Sequence, residues 1–323
     1  MTEDSLTILL LTNRLCDVKE AKPFTSKKVF ELWHKIKKKS PIEKILGCTL
    51  DDLEKEYGLT NDEALRVRRL CDAQTAFVNR LEGLEESGIK VRSFLDDEFP
   101  KRIKESLGLK SPAFLLIAGN TSLLDETARG IVGSRNASKE VINVAQSAAN
   151  AAVRKNGVVV SGLARGVDQV AMKAALDMDG QVIGVPTEGI REVSKNREIR
   201  EFVHEDKICL VSPYGPDVGF SVGNAMGRNK IVYAISESTL VVSSDLETGG
   251  TWAGAKEALR DKFSQVDVWT GDESGPGNRE LVNKLGATGI SSRDDFWLSV
   301  LISSPKSIEP PREDNPQLKL EVE

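Results

Sequence analysis

Ser161-Gly162-Leu163-Ala164-Arg165-Gly166-Val167-Asp168 places two glycines, a hydroxyl and an arginine in one turn, a combination suited to phosphate. The turn follows the apolar run Val158-Val159-Val160 and opens into a helical pattern from Val170 to Leu176. Glycines let the backbone approach a ligand closely, and the free N–H groups of a first helical turn point at it. Arg165 adds a planar, permanently charged fork that matches phosphate oxygens. Two more turns have the same make-up. Gly130-Ile131-Val132 reads as a strand ending in Gly133-Ser134-Arg135, with helical periodicity from Ala137 to Arg154. Leu240 to Ser244 reads as another, and Glu247-Thr248-Gly249-Gly250-Thr251 leads into a helix around Ala253 to Leu259. Three such turns would converge at the carboxyl edge of a parallel sheet, where open α/β sheets bind ligands.

The elements that must hold these turns follow from hydrophobic patterning. Strands are predicted near 90–93, 113–118, 129–133, 157–161, 181–185, 208–212, 239–243 and 266–270, with helices between most of them. Continuous Val, Ile and Leu strands alternating with helices predict an α/β fold: an extended Rossmann-like, mainly parallel sheet covered by helices on both faces. Residues 1–88 read as an all-helical domain. Ser5 to Leu15 is its first helix, and Thr25 or Ser26 caps a second with Val29, Trp33 and Ile36 on one face. Thr49 caps a third. Gly58-Leu59-Thr60-Asn61 is a stop followed by a new cap, opening a longer helix from Ala64 to Leu84. Residues 89–303 form the Rossmann-like domain, with a last short helix from Asp294 to Leu301. Residues 304–323, rich in Pro and charge, are expected to be disordered.

Composition narrows the function. The 323 residues are enough for two domains, and no apolar run is long enough to span a bilayer. The acidic start, Met1-Thr2-Glu3-Asp4, lacks the basic flank of a secretory signal, so the cytoplasm is the expected compartment. Cys16, Cys48, Cys71 and Cys209 are scattered without a Cys-x-x-Cys pair, which predicts neither zinc nor disulfides. The net charge of −5 leaves room for a local phosphate-binding patch. Arg135, Arg165, Arg191, Lys195, Arg197, Arg200, Arg228 and Lys230 collect near the predicted ligand edge. Arg197 and Arg200 also suit helix-face pairs with Glu198 and Glu201, whereas Arg135, Arg165 and Arg228 are predicted to sit in turns. The only histidines, His34 and His204, have no partnered nucleophile, and no Gly-x-Gly-x-x-Gly or Walker-type Gly-Lys-Ser/Thr occurs. The chain therefore reads as a binding protein, with no catalytic residue, metal or cofactor assigned. Asp168 suits the dipole of its helix, or else a contact to Arg165 or a base.

Ile131 to Arg135, Ser161 to Asp168 and Gly227-Arg228-Asn229-Lys230-Ile231-Val232 resemble, in order, the motifs of the DprA/Smf DNA-processing family. Phe99 to Ile103, Pro112 to Asn120, and Gly277 to Val282 followed by Gly286-Ala287 resemble its flanking segments, so the resemblance covers roughly residues 89–290. The family usually has His at Met172, Arg at Lys230 and a Ser-Gly-Ser type turn at Thr248 to Thr251, and Pro213-Tyr214 replaces an acidic step. Residues 45–64 resemble the helix-hairpin-helix or SAM-like module that often precedes the core. The resemblance implies single-stranded DNA as partner, homodimerisation and loading of a RecA-type recombinase. One phosphate would lie on Gly133, Ser134 and Arg135, and another on Ser161, Gly162, Arg165 and Gly166. Arg228, Asn229 and Lys230 would grip the strand, and Gly249, Gly250 and Thr251 would close the pocket. The winged helix that many relatives carry after the core has too few residues here. Two other readings use the same pocket. One is a nucleotide sensor. The other is a Lonely-guy-like nucleoside-monophosphate phosphoribohydrolase, whose glycine turn Thr248 to Thr251 partly resembles, with Glu257 more distant than that turn's acid.

Overall fold

The structure, a computed structural model, describes residues 1–12, 14–19, 21–37 and 41–297. The tail expected from residue 304 therefore lies outside the described residues. So does the second half, from residue 298, of the helix expected at Asp294–Leu301; its described half holds a 3-10 turn, Arg293–Asp295.

The amino-terminal region contributes α1 (Glu3–Leu11), α2 (Ser26–Lys37), α3 (Leu50–Lys55), α4 (Asn61–Asp72) and α5 (Gln74–Glu86). Thr49 and Thr60 cap α3 and α4 as their sequence predicts. Each accepts from the N3 amide, of Asp52 at 3.2 Å and of Glu63 at 3.3 Å, and those carboxylates reach back to the cap amides. The long helix expected from Ala64 to Leu84 breaks at Ala73, which has a turn conformation. No Gly or Pro marks the break. Packing imposes it: Leu70 and Cys71 join the core on one side of the sheet, whereas Phe77, Leu81 and Leu84 join the core on the other.

Along the chain then follow β1 (Ile89–Ser93), α6 (Lys101–Leu107), β2 (Phe114–Gly119), β3 (Ala128–Gly133), α7 (Lys139–Arg154), β4 (Val158–Ser161), α8 (Val167–Asp177), β5 (Val182–Gly184), α9 (Ile190–Val193), α10 (Arg197–His204), β6 (Ile208–Ser212), α11 (Val222–Ile235), β7 (Ser238–Ser243), α12 (Gly249–Asp261), β8 (Gln265–Trp269), α13 (Pro276–Asn283) and β9 (Thr288–Ile290). All eight predicted strands are present. β9 was missed because three residues, two of them exposed, leave no readable pattern. The sheet runs β1-β2-β6-β5-β4-β3-β7-β8-β9. From β6 to β9 every pairing is parallel, while β1–β2 and β2–β6 are antiparallel, a common edge on large α/β sheets.

Successive strand residues serve two cores. Ile131, Val159, Leu240 and Val242 face α7 and α8; Val132, Val160, Val241 and Val268 face α11 and α12. The amino-terminal helices extend both cores over the β1 edge, and Phe30 packs on Phe94 with ring centroids 4.8 Å apart. From β3 the chain steps outward through β4, β5 and β6, then returns to the opposite side of β3 as β7. This reversal opens a crevice beyond the carboxyl ends of β3 and β7, the usual ligand position in such sheets.

Asp267 in β8 is fully buried; Gln265 Nε2 donates to its Oδ1 at 2.9 Å, and Oδ2 has no partner among the described residues. Burial pushes this carboxyl above the ordinary carboxylate range. A raised folded-state pKa stabilises fully below the unfolded value, and that contribution is lost as pH rises through the folded one. Asp267→Asn should remove this loss, so its urea midpoint relative to the parent should be higher at pH 7 than at pH 3. A parallel pH dependence in both proteins would show that Asp267 titrates normally.

Candidate functional site

The crevice contains a cavity of about 410 Å³, lined by the ends of β3 and β7, the turn after β4, the start of α12 and one face of α11. Its floor is Arg228, only 3% exposed. Gly227 to Lys230 lies inside α11 rather than in a turn, so Arg228 reaches the cavity from a rigid helix. Its Nη2 donates to Asp168 Oδ2 at 3.1 Å, and both side chains are buried. The guanidinium lies over Gly162, where any Cβ would coincide with it. Glycine at 162 is thus required by close approach. Arg228 Nε and Nη1 have no hydrogen-bond partner among the described residues. A buried charged donor left open in this way is costly unless a ligand completes it.

The three glycine-rich turns do meet, and they brace one another. Ser161 Oγ donates to the Ile131 carbonyl at 2.6 Å, Val167 N to that of Ser134 at 3.2 Å, and Thr251 Oγ1 to that of Gly133 at 3.1 Å. Gly166 has φ +84°, and a side chain there would also strike the Ser134 carbonyl. The turn 161–168 therefore spends its hydroxyl and the Val167 and Gln169 amides on the fold itself, the latter on the Ala164 carbonyl. α12 differs. Its first turn lines the cavity with no side-chain cap, and the amides of Gly249, Gly250 and Thr251 meet no acceptor among the described residues. Such a helix start favours an anion.

The other expected residues divide by exposure. Arg135 and Arg165 are exposed on adjacent turns; Arg135 lies over the Phe220 ring, 5.4 Å from its centroid. Asn229 lines the cavity, and its Nδ2 donates to the Gly250 carbonyl at 2.7 Å and fixes that turn. Lys230 does not line the cavity, because its ammonium pairs with Glu257 at 2.9 Å. That pair also leaves Glu257 outside the cavity, so the hydrolase reading gains no carboxylate from it. Lys195 and Arg197 are engaged by Glu192 and Glu201, and Arg191 by Asp217.

Three features go beyond the sequence reading. Asp168 serves as the counter-ion of Arg228, sixty residues away, besides complementing the α8 dipole. Phe220, Val222 and Met226 form an exposed apolar rim, 50%, 69% and 47% accessible, although the chain is poor in aromatics. Tyr214 holds the start of α11: its hydroxyl donates to the Asn224 carbonyl at 2.7 Å, and burial pushes the phenol up to about 12. Phe220 and Val222, on either side of the cap Ser221, offered the signal in the sequence.

This topology defines a Rossmann-like α/β protein with a crevice at the switch point of its sheet. The chain belongs to the DNA recombination-mediator protein A family, whose profile it matches over residues 90–300. It is 28% identical over 225 residues to the DNA processing protein DprA of Streptococcus pneumoniae, covering 65% of this chain and 78% of that one. To its namesake in Bacillus subtilis it is 29% identical over 226 residues, covering 67% and 73%. The X-ray structure of the Streptococcus pneumoniae protein superimposes with a TM-score of 0.70 at 21% identity over 91% of this chain and 96% of that one. DNA processing protein A of Helicobacter pylori, studied for its single-stranded DNA binding mode, gives 0.55 at 24% identity over 66% and 95%. These two likenesses show the fold.

Removing one member of the buried pair strands the other. Asp168→Ala should cost about 3–5 kcal/mol in urea unfolding, and the double variant Asp168→Leu/Arg228→Met should recover most of it. An unchanged midpoint in Asp168→Ala would mean that the pair contributes no net stability.

Proposed function

We propose that this chain binds single-stranded DNA through its phosphates. The observation that carries the reading is Arg228, a buried arginine whose Nε and Nη1 have no partner among the described residues, bordering a cavity that α12 enters by its uncapped amino end. Exposed Arg135 and Arg165 flank that cavity and hold neighbouring phosphates of the strand. Gly133, Ser134, Gly162, Gly166, Gly249, Gly250 and Thr251 give the backbone its close approach, with Ser161 and Asn229 bracing the turns. Phe220 and Met226 offer apolar surface to a base beside the phosphate. The Helicobacter pylori neighbour, described for its single-stranded DNA binding, supports the choice of strand over duplex. In this reading the protein acts as a cytoplasmic homodimer that delivers the strand to a RecA-type recombinase during DNA uptake or recombination, without covalent chemistry of its own.

A nucleotide sensor is the second reading, and the cavity volume favours it: about 410 Å³ lies in the range that encloses one small ligand. Fluorescence anisotropy of labelled strands of several lengths, across a salt series and with mononucleotide competitors, separates the two. Strand binding predicts affinity that grows with length and falls with salt; flat, negligible strand binding would overturn it. Arg165→Ala and Arg135→Ala should each weaken binding to all sequences and flatten the log–log salt slope by roughly 0.7 to 1. An unchanged slope would remove that arginine from the phosphate contacts.

A further inference from the structure

Between β6 and α11 the chain crosses residues 213–221, a strap whose far end forms the exposed rim of the crevice. Ser221 caps α11, its Oγ accepting from the Asn224 amide at 3.0 Å. Phe220 and Val222, on either side of that cap, line the cavity, as does Met226 a turn later. Two side chains tie the strap to the helix. The Tyr214 hydroxyl donates to the Asn224 carbonyl at 2.7 Å, and Asn224 Nδ2 donates to that of Thr187 at 3.4 Å. A shift of the strap is therefore carried into the first turn of α11 and its apolar rim.

The strap is held from two sides. On one, the connection from β5 to α9 receives it: the Gly189 amide donates to the Val218 carbonyl at 2.7 Å, and the Arg191 amide to that of Pro216 at 3.2 Å. A Cβ at Gly189 would lie 2.1 Å from the Pro216 oxygen. On the other stand the amino-terminal helices. A Cβ at Gly215 would lie 2.6 Å from the Arg14 carbonyl oxygen, and Arg80 of α5 reaches Asp217, Nη2 to Oδ2, at 2.5 Å. Arg191 Nη1 meets the same carboxylate at 3.4 Å, so one side chain joins both sides. Packing there is incomplete. An open cleft of about 910 Å³ lies beside the strap, where Pro216, Asp217 and Val218 face Leu15, Val18 and Leu70. The pair with Arg80 supplies a hold that packing does not.

We propose that Asp217 is a positioning residue for the crevice, and that through Arg80 the amino-terminal helices set the rim that α11 presents to a ligand. The effect on strands rests on the strand-binding reading; the hold on α11 does not. Arg80, Asp217 and Arg191 all lie outside the cavity lining, so their influence on a ligand runs through the strap.

The full chain, Arg80→Gln, Asp217→Asn and the double variant are titrated with a labelled single-stranded oligonucleotide, and amide hydrogen exchange of each is followed without DNA. Both single variants should bind about threefold to fivefold more weakly, the range that an exposed ion pair supplies. The double variant should bind no more weakly than Asp217→Asn, because the two residues act through one contact. Direction is the distinguishing readout. Asp217→Asn removes a negative charge and Arg80→Gln a positive one, so a purely Coulombic effect would tighten binding in the first and weaken it in the second. The Asn224 and Ala225 amides, in the first turn of α11, should exchange faster in both variants. With a parent that binds the strand, opposite or absent changes in affinity overturn the proposal and leave strand binding intact. A parent that binds no strand overturns the strand-binding reading, and exchange then decides alone. Faster exchange at Asn224 and Ala225 upholds the positioning role, and unchanged exchange overturns it.

Discussion

A single arginine sets the terms of this site. Arg228 is a permanent charge taken out of water, and one carboxylate, Asp168, accepts from its Nη2 while Nε and Nη1 have no partner among the described residues. Desolvating such a group costs several kcal/mol, which the pair repays only in part. The rest of the cradle is consistent with that constraint. Gly162 is bare so that the guanidinium can lie flat, and α11 carries the arginine on a rigid element braced by Tyr214. Arg228 borders the cavity that α12 enters by its uncapped amino end.

The three turns around it form a mutual scaffold as well as a set of ligand loops. The hydroxyls of Ser161 and Thr251 and the Asn229 amide each hold a neighbouring carbonyl, joining the ends of β3, β4 and α12. Preorganised donors need little rearrangement to meet a ligand, so the ordering cost is met during folding and not during binding. The glycines thus have two purposes: some bring the turns together, and those at the start of α12 leave amides facing the cavity.

Much of this was legible in the residues. Alternating Val-rich strands and helices gave the mainly parallel sheet, and the three glycine turns pointed to its carboxyl edge. Local signals such as Thr49 and Thr60 marked real helix starts. What remained hidden depended on distance in sequence. The break at Ala73 arises because two halves of one helical pattern serve opposite cores, which no local residue records. The Arg228–Asp168 pair joins positions sixty residues apart, and Gly227 to Lys230 read as a turn because its glycine and polar residues outweigh the helix around them. Lys230, grouped with Arg228 by adjacency, points to Glu257 because successive helical residues face different directions.

The occupancy of Arg228 is the decisive question. Arginine Nε–H resonances of ¹⁵N-labelled protein, assigned by comparison with Arg228→Lys, can be followed as a short single strand is added. If the strand reaches Arg228, its Nε–H signal should move as binding saturates. A strand that saturates while the Arg228 signal stays unchanged would place the phosphate elsewhere and leave the buried pair with a structural role alone.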